Sequence, residues 1–438
     1  MTDAGSHAFR PFHLRILLLT SVAFLGNGID ASVLSFALPG MAGEWGLAPA
    51  EVAFVLPMLG IGQLLGAIVV GMLVDRVGRR VSFALAGASA GLGIGLAALA
   101  PNPVVVALLV FLGGIGFGGV GPAAGAIVSE FAPPRYRGRM LAWTQIFWVA
   151  GWSISATLGG WFEQILGWRG ILGVGALPIA FAIVSFLLLP ESPRYLLAKG
   201  RRADAERLAA DLLKTHGVVI PLDAPPRSHQ AGSTLSHLAT LWSRAYRRRT
   251  FALWTTWTAM NAAFSGPIVW LPVILQANGA EHPLQLSALV GYAMFPGGLF
   301  ALLSIDRFGR RPLMMGSLGV AAAGGLLMAL SREPWVITLG GAALAGGTLA
   351  AWPVALGWSA EQYPTRLRGT ASGWSAAVAR VGAIGAPVAV GALLGPRGEG
   401  HVAALLPFGL LLLAAVASVA IFARETANRS LEELSEPS

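Results

Sequence analysis

Twelve apolar stretches, each long enough to cross a bilayer, dominate this chain and restrict it to a helical membrane fold. They run over 14–38, 50–73, 81–100, 104–129, 139–162, 168–189, 250–277, 284–304, 313–330, 334–359, 369–394 and 401–423. A spanning helix needs about 20 mostly apolar residues, because lipid offers no partner to backbone N–H and C=O groups. Charged residues make up 12% of the chain against about 25% in soluble domains. Hydrophobic residues reach 55%, and the mean hydropathy is +0.68. A soluble globular enzyme, a disordered protein and a disulfide-rich secreted scaffold are excluded. With no cysteine there is no disulfide, thiolate metal site or thiol nucleophile. The 57 Gly and 27 Pro are tolerated because both are more frequent in transmembrane helices than in soluble ones.

The net charge of +9 reflects orientation in the membrane. Placing both termini in the cytoplasm puts all Lys and Arg on that side except Arg169, Arg332, Arg397 and the intramembrane Arg380. This bias follows the positive-inside rule, so the basic charge serves topology and lipid, and no nucleic-acid partner is expected. The first apolar run is too long for a secretory h-region and is read as a retained helix. The expected domains are an N-terminal six-helix bundle over 1–189, a cytoplasmic central loop over 190–249, a C-terminal six-helix bundle over 250–423 and a cytoplasmic tail over 424–438. In the central loop, Leu208, Leu212 and Leu213 share a face of an amphipathic helix that packs under the bundle. Trp45, Trp161, Trp168 and Trp335 fall near the outer span ends, as interfacial anchors would.

An internal repeat organises the chain. Asp75, Arg76, Gly78, Arg79 and Arg80 recur as Asp306, Arg307, Gly309, Arg310 and Arg311, an offset of 231. Glu130, Pro133, Arg135, Arg137 and Gly138 recur as Glu361, Pro364, Arg366, Arg368 and Gly369 at the same offset. Two motifs sharing one offset imply two six-helix halves of equal orientation. Parallel repeats of this kind characterise a large class of secondary transporter. Gly78 and Gly309 permit tight reversals between helices. The acidic members can pair with the arginines in one conformation and release them in another, forming a cytoplasmic gate. Arg-rich loops that only enforce topology would not require the repeated Asp, Gly and Glu.

At these residues the sequence resembles the major facilitator superfamily over almost its whole length. GMLVDRVGRR over 71–80 looks like that family's loop 2–3 signature, with its second-half copy at 306–311. Pro190-Glu191-Ser192-Pro193-Arg194 is similar to the motif after the sixth span of sugar porters. The aromatic-acid/proton symporters and related metabolite/proton symporters match more closely. The resemblance lies in Asn27-Gly28-Ile29-Asp30, Ser129–Pro133 with Arg135 and Arg137, and ASGWSAAVARVGAIGAP over 371–387 including Arg380. Asn27 stands where that group has a first Asp, and Ile29 where it has an aromatic. The Gly-Pro antiporter signature of many drug exporters is absent from 149–161.

Only Asp30 and Arg380 are clearly ionisable inside the spans. Charges there are costly and usually line a water-filled path. Asp30 sits about two-thirds of the way along the first span. A carboxyl away from bulk water can exchange a proton in the physiological range, which makes Asp30 the candidate proton-coupling residue. The alternative is a polar group satisfied by neighbouring helices. Arg380 falls near the midplane, about eleven residues into its span. Its guanidinium fork suits a carboxylate. Two readings fit: a clamp for an anionic substrate, or a structural pair with Asp30 or a helix carbonyl. The repeat maps Asp30 onto Asn261. Gln145, Trp148 and Trp152 share one face of the fifth span, and Tyr292 lies near the middle of the eighth. With Asn27 and Asn261 they are candidate substrate-binding residues, although the aromatics would equally pack between helices or face lipid.

Gly116–Gly121 fits the pattern GxGxxG inside an apolar span with no preceding strand, which favours close helix packing over nucleotide binding. Pro272, Pro296, Pro353 and Pro387 are candidate kinks. Histidines show no metal spacing, and no Ser/His/Asp constellation stands out. No cofactor, metal or enzyme activity is expected. The expected fold is all-α, with twelve transmembrane helices in two parallel-repeat bundles. The expected function is proton-coupled uptake of a small organic anion, such as an aromatic carboxylate, by a monomer in the cell membrane; its partners are protons, substrate and lipid. A sugar or polyol porter, a drug/proton antiporter and a non-transporting membrane sensor are the alternatives.

Overall fold

The computed structural model describes residues 9–133, 136–218, 234–363, 365–395, 398–423 and 425. The helices in chain order are α1 (Pro11–Trp45), α2 (Pro49–Val52), α3 (Val55–Val77), α4 (Arg79–Ala97), α5 (Pro103–Phe131), α6 (Arg137–Val174) and α7 (Leu177–Leu188). Three short helices follow: α8 (Pro193–Ala198), α9 (Arg202–His216) and α10 (Thr234–Leu241). The remainder are α11 (Arg247–Ala263), α12 (Leu271–Ala277), α13 (Pro283–Phe308), α14 (Arg310–Leu330), α15 (Pro334–Glu361), α16 (Thr365–Leu394) and α17 (His401–Phe422). No strand occurs among the described residues.

Among the described residues, ten segments are long and apolar enough to span, and one bent pair, Arg247–Ile268 with Leu271–Ala277, makes an eleventh. One of the ten, Arg139–Leu188, holds 50 residues. At 1.5 Å per residue it would reach about 75 Å, more than twice a hydrocarbon core of about 30 Å. It is broken at Gly167, whose φ of 60° and ψ of 173° lie outside the helical region. That break makes two passes, and the chain has twelve transmembrane helices in two parallel-repeat bundles of six.

Local chemistry sets the ends. Pro103 begins α5 behind Asn102, whose side chain accepts from Val105 N at 3.0 Å. Gly78 (φ 102°) and Gly309 (φ 85°) make the two reversals expected of them. The sixth pass is interrupted at Gly175–Ala176, just before Pro178. The seventh bends by 48° after a π-helical turn, Phe264–Ile268, containing Pro267. That bend was not anticipated; Pro296, Pro353 and Pro387 lie inside continuous helices and Pro272 opens α12.

Contacts divide the chain into two compact units. The first contains the described residues to Val33, Ile61–Ser155 and those from Arg169 to 218. Here α4 packs on α5 and α7. A core at the arginine-bearing ends joins Phe12, Ile16, Val74, Phe83, Phe131 and Leu212. Leu212 is buried with Ala205, and Leu208 packs against the same core. Leu213 is 53% exposed, one position round from the buried stripe of 205, 208 and 212. The second unit contains Leu34–Gly60, Ala156–Trp168 and the described residues from 234 onward. In it α14 packs on α15 and α17, α13 on α15, and α11 on α16 and α17. Trp161 and Trp335 are exposed, as anchors would be, but Trp168 is buried. Its Nε1 donates to Glu44 Oε2 at 2.7 Å and its ring meets Trp45 edge-on, so it is a packing residue.

Candidate functional site

The first unit contains an isolated acid. Asp30 is 0% exposed, and neither carboxylate oxygen has a hydrogen-bond partner among the described residues. The packing around it follows from two glycines. A Cβ on Gly28 would lie 1.9 Å from Trp148 O, and one on Gly151 would lie 1.9 Å from Leu25 O. Helices α1 and α6 therefore cross with their backbones in contact, as small residues allow in lipid. Ser32, one turn from Gly28, donates its hydroxyl to Gly28 O at 3.1 Å and to Ile29 O at 3.2 Å. These groups stay paired while Asp30 does not.

One turn before Asp30, Asn27 is buried and its Nδ2 donates to Phe117 O of α5 at 3.2 Å. The adjoining Gly118 lets α5 touch α3, where a Cβ would lie 2.0 Å from Gln63 O. Gln63 itself is buried. Asn27 thus ties α1 to the α5 backbone at Phe117, and α5 in turn meets the α3 backbone at Gln63. Sequence reading missed Gln63, because an uncharged amide does not stand out in an apolar run; its helical position relative to Asn27 is a tertiary fact. Trp148 and Trp152 form the pair their spacing implied, with centroids 5.6 Å apart at 38°. Trp152 is buried, while Trp148 and Gln145 are half-buried.

The other candidates belong to the second unit. Asn261 is buried and its Nδ2 donates to Trp257 O at 3.0 Å, so that donor is already engaged. Trp257 in turn donates Nε1 to Ser359 Oγ at 2.9 Å and meets Trp352 edge-on at 5.6 Å. Tyr292 shares a 2.8 Å hydroxyl–hydroxyl hydrogen bond with Thr157. Arg380 is half-buried on α16.

The arginine-bearing ends form two similar networks, one in each unit. In the first, Arg79 Nε donates to Glu130 Oε1 at 2.9 Å, and Arg79 reaches Asp75 at 3.2 Å. Glu130 also accepts from the Ser192 hydroxyl. Glu191 Oε1 accepts from the backbone N–H groups of Arg79 (2.9 Å) and Arg80 (3.3 Å). A carboxylate there satisfies orphan donors at the start of α4 and complements its dipole. Arg80 lies 4.5 Å from the Phe186 ring centroid and donates to Phe186 O. Arg76 O accepts from the Tyr195 hydroxyl at 3.3 Å, and Arg137 Nε donates to Ala132 O at 3.0 Å.

In the second network, Arg310 and Glu361 pair at 3.5 Å. Glu425 accepts from the N–H groups of Arg310 (3.1 Å) and Arg311 (2.9 Å). Arg311 donates to Ala420 O, and Arg307 lies 6.0 Å from the Phe308 ring centroid. Glu191 and Glu425 do the same work in their halves, as do Phe186 and Ala420, but three residues further apart than the repeat of 231. That slippage hid Glu425 from a fixed-offset comparison. Two residues after Glu361, the Tyr363 hydroxyl bonds Thr250 Oγ1 at 2.8 Å, and burial pushes the Tyr363 phenol up to about 12. Arg135 and the side chains of Asp306, Arg366 and Arg368 lie outside the described residues.

The family model described as "Sugar (and other) transporter" matches residues 45–437. A niacin transporter of Acinetobacter baylyi is 29% identical over 425 residues, covering 97% of this chain and 96% of that one. A gallate transporter of Pseudomonas putida is 30% identical over 395 residues, covering 86% and 85%. The inward-open xylose transporter XylE from E. coli shares the fold with a TM-score of 0.73 at 19% identity, covering 96% of this chain and 99% of XylE. With twelve passes, a duplicated acidic–basic loop motif and these matches along nearly its whole length, the chain belongs to the sugar (and other) transporter family of the major facilitator superfamily.

Proposed function

We propose that this transporter takes up small aromatic carboxylates together with protons, by alternating access, across the cell membrane, with both termini in the cytoplasm. The observation that carries the coupling is Asp30: a wholly buried carboxyl with neither oxygen partnered among the described residues. An ionised carboxylate left so would be an uncompensated charge in a poorly solvated place. A proton is the simplest compensation, and one that can be taken up on one side and released on the other. Niacin and gallate, named for two relatives, are both ring carboxylates. The positive-inside bias supports the orientation.

In this reading, protonated Asp30 favours the loaded carrier and deprotonation toward the cytoplasm resets it. A ligand shifts such an equilibrium only by its differential affinity for the two states. Arg380 clamps the carboxylate. Trp148 and Trp152 offer a face for the ring, with Gln145, Asn27, Asn261 and Tyr292 as polar readers. The Arg79–Glu130 and Arg310–Glu361 networks brace the cytoplasmic ends within each half and rearrange as the gate moves. The fixed charge of Arg380 favours an anion over the neutral sugars that the family description also includes.

Proteoliposomes with an outward-acid pH gradient and labelled nicotinate or gallate test this. Wild-type protein is expected to accumulate label. Asp30→Asn is expected to exchange label with unlabelled substrate but to lose gradient-driven accumulation. Undiminished accumulation by Asp30→Asn would remove Asp30 from the coupling role. Stimulation by inward acidification would replace symport with exchange.

A further inference from the structure

We propose that the arginine-bearing end of α7 is a headgroup site for an anionic phospholipid, with Arg15 and Arg80 on its phosphate and the exposed stripe of α7 along its acyl chains. Within the first unit α7 lies against two neighbours. Gly26 of α1 faces Pro178 and Phe181, and Gly87 and Gly91 of α4 face Ala182 and Ile179. Each neighbour sends one arginine to the last turn of α7. Arg15 of α1 donates Nη2 to Leu188 O, and Arg80 of α4 donates Nε to Phe186 O. Carbonyls two residues apart in a helix lie roughly 5–6 Å from each other, so both guanidiniums converge on one helix end.

A carbonyl occupies a donor without cancelling the charge. Neither guanidinium has a carboxylate partner among the described residues. Glu191, which follows α7, spends Oε1 on the backbone N–H groups of Arg79, Arg80 and Ser192, so its charge serves the start of α4. The C-terminal dipole of α7 offsets about half of one charge, and the two arginines leave a surplus beyond it. Orientation in the membrane needs basic residues only somewhere on the right side. Here their placement differs between the halves. Arg80 has its counterpart in Arg311, which donates to Ala420 O of α17. Arg15 maps by the repeat onto Tyr246, which is buried against Tyr363. A second cation at the end of the sixth helix therefore belongs to the first half alone, and the shared fold does not require it.

The apolar surroundings identify the anion as a lipid's. Ile183, Val184 and Leu187 are exposed at helical spacing and form a stripe of α7 that leads away from the two arginines into the span. Leu18, one turn beyond Arg15 on α1, is also exposed. Guanidiniums at one end of an apolar stripe match a molecule with a phosphate at one end and acyl chains at the other. A free phosphate would meet the arginines but gain nothing from the stripe.

Native mass spectrometry of the purified transporter, titrated with phosphatidylglycerol or phosphatidylcholine, tests this. Wild type is expected to hold phosphatidylglycerol roughly 30-fold more tightly than phosphatidylcholine, about fivefold for each arginine. Arg15→Gln keeps an amide donor for Leu188 O but loses the charge. It is expected to lose about fivefold in affinity for phosphatidylglycerol and nothing for phosphatidylcholine. Arg15→Lys, which keeps the charge, is expected to bind phosphatidylglycerol as wild type does. Lys214→Gln removes an exposed charge from α9 and is expected to change neither affinity. Equal affinity of wild type for the two lipids overturns the proposal, as does unchanged phosphatidylglycerol binding by Arg15→Gln. An equal loss in Lys214→Gln overturns it in favour of bulk surface charge. Displacement of the lipid by millimolar inorganic phosphate overturns it in favour of a diffusible anion.

Discussion

A fixed guanidinium and a titratable carboxyl answer differently to substitution. Arg380 as a clamp contributes charge-assisted, bidentate hydrogen bonds to the substrate carboxylate. Its loss in Arg380→Ala should weaken binding by about 10- to 150-fold, from the 1.5–3 kcal/mol typical of hydrogen bonds to charged groups. Arg380→Lys keeps the charge without the fork and should fall between. Binding of labelled nicotinate to purified protein measures this, and an unchanged dissociation constant for Arg380→Ala ends the clamp role. Asp30 and Arg380 were legible in the sequence because charge is conspicuous in apolar spans. Gln63 and Glu425 were not, and Glu191, which stands in the motif after the sixth span, gave no sign of its partner. Glu191 stands 112 residues from the N–H of Arg79 that it accepts, and no local pattern announces such a partner. Leu213 shows the reverse error, an apolar residue assigned to a face that closes without it.

At the scale of the element, glycines decide how closely helices approach. The Gly-rich run of α5 is a packing surface, as its small residues imply: a Cβ on Gly116 would lie 2.2 Å from Ala90 N of α4. Which helix would meet Gly28 was not readable, because α6 lies more than a hundred residues away. The same glycine type has opposite consequences along α1. At Gly28 a side chain collides with the backbone of α6, whereas at Gly43 nothing lies within 4 Å. Gly28→Val should cost about 1–3 kcal/mol or more, as overpacking does, and displace the turn that holds Asp30. Gly43→Val should leave stability within about 0.5 kcal/mol. Thermal unfolding in detergent, run on both variants beside wild type, distinguishes a contact at Gly28 from a general intolerance of β-branched residues in this helix.

At the scale of the whole molecule, duplication was the strongest signal, since one offset linked two motifs and implied the parallel-repeat fold. The offset holds for the loops that pair Arg79 with Glu130 and Arg310 with Glu361, and slips by three residues at the last pass, where Glu425 replaces Glu191. Contact grouping was less legible. The ends of the first, second and fifth passes remote from the arginine-rich loops, 34–60 and 156–168, group with the second set of helices. Small residues make this closure possible. A Cβ on Gly160 would meet Ala288 Cβ at 2.8 Å and Leu284 O at 3.0 Å, and the Thr157–Tyr292 hydrogen bond lies one turn away. A carrier that alternates must open these contacts. Gly160→Phe should therefore prise this end apart and favour the state accessible from the arginine-poor side. Because the chain has no cysteine, Ala288→Cys gives a single reporter at a position that is 0% exposed. An impermeant maleimide applied from that side should label Ala288→Cys slowly in the otherwise native protein and severalfold faster when Gly160→Phe is added. Equal labelling rates would show that the contact does not hold this end closed.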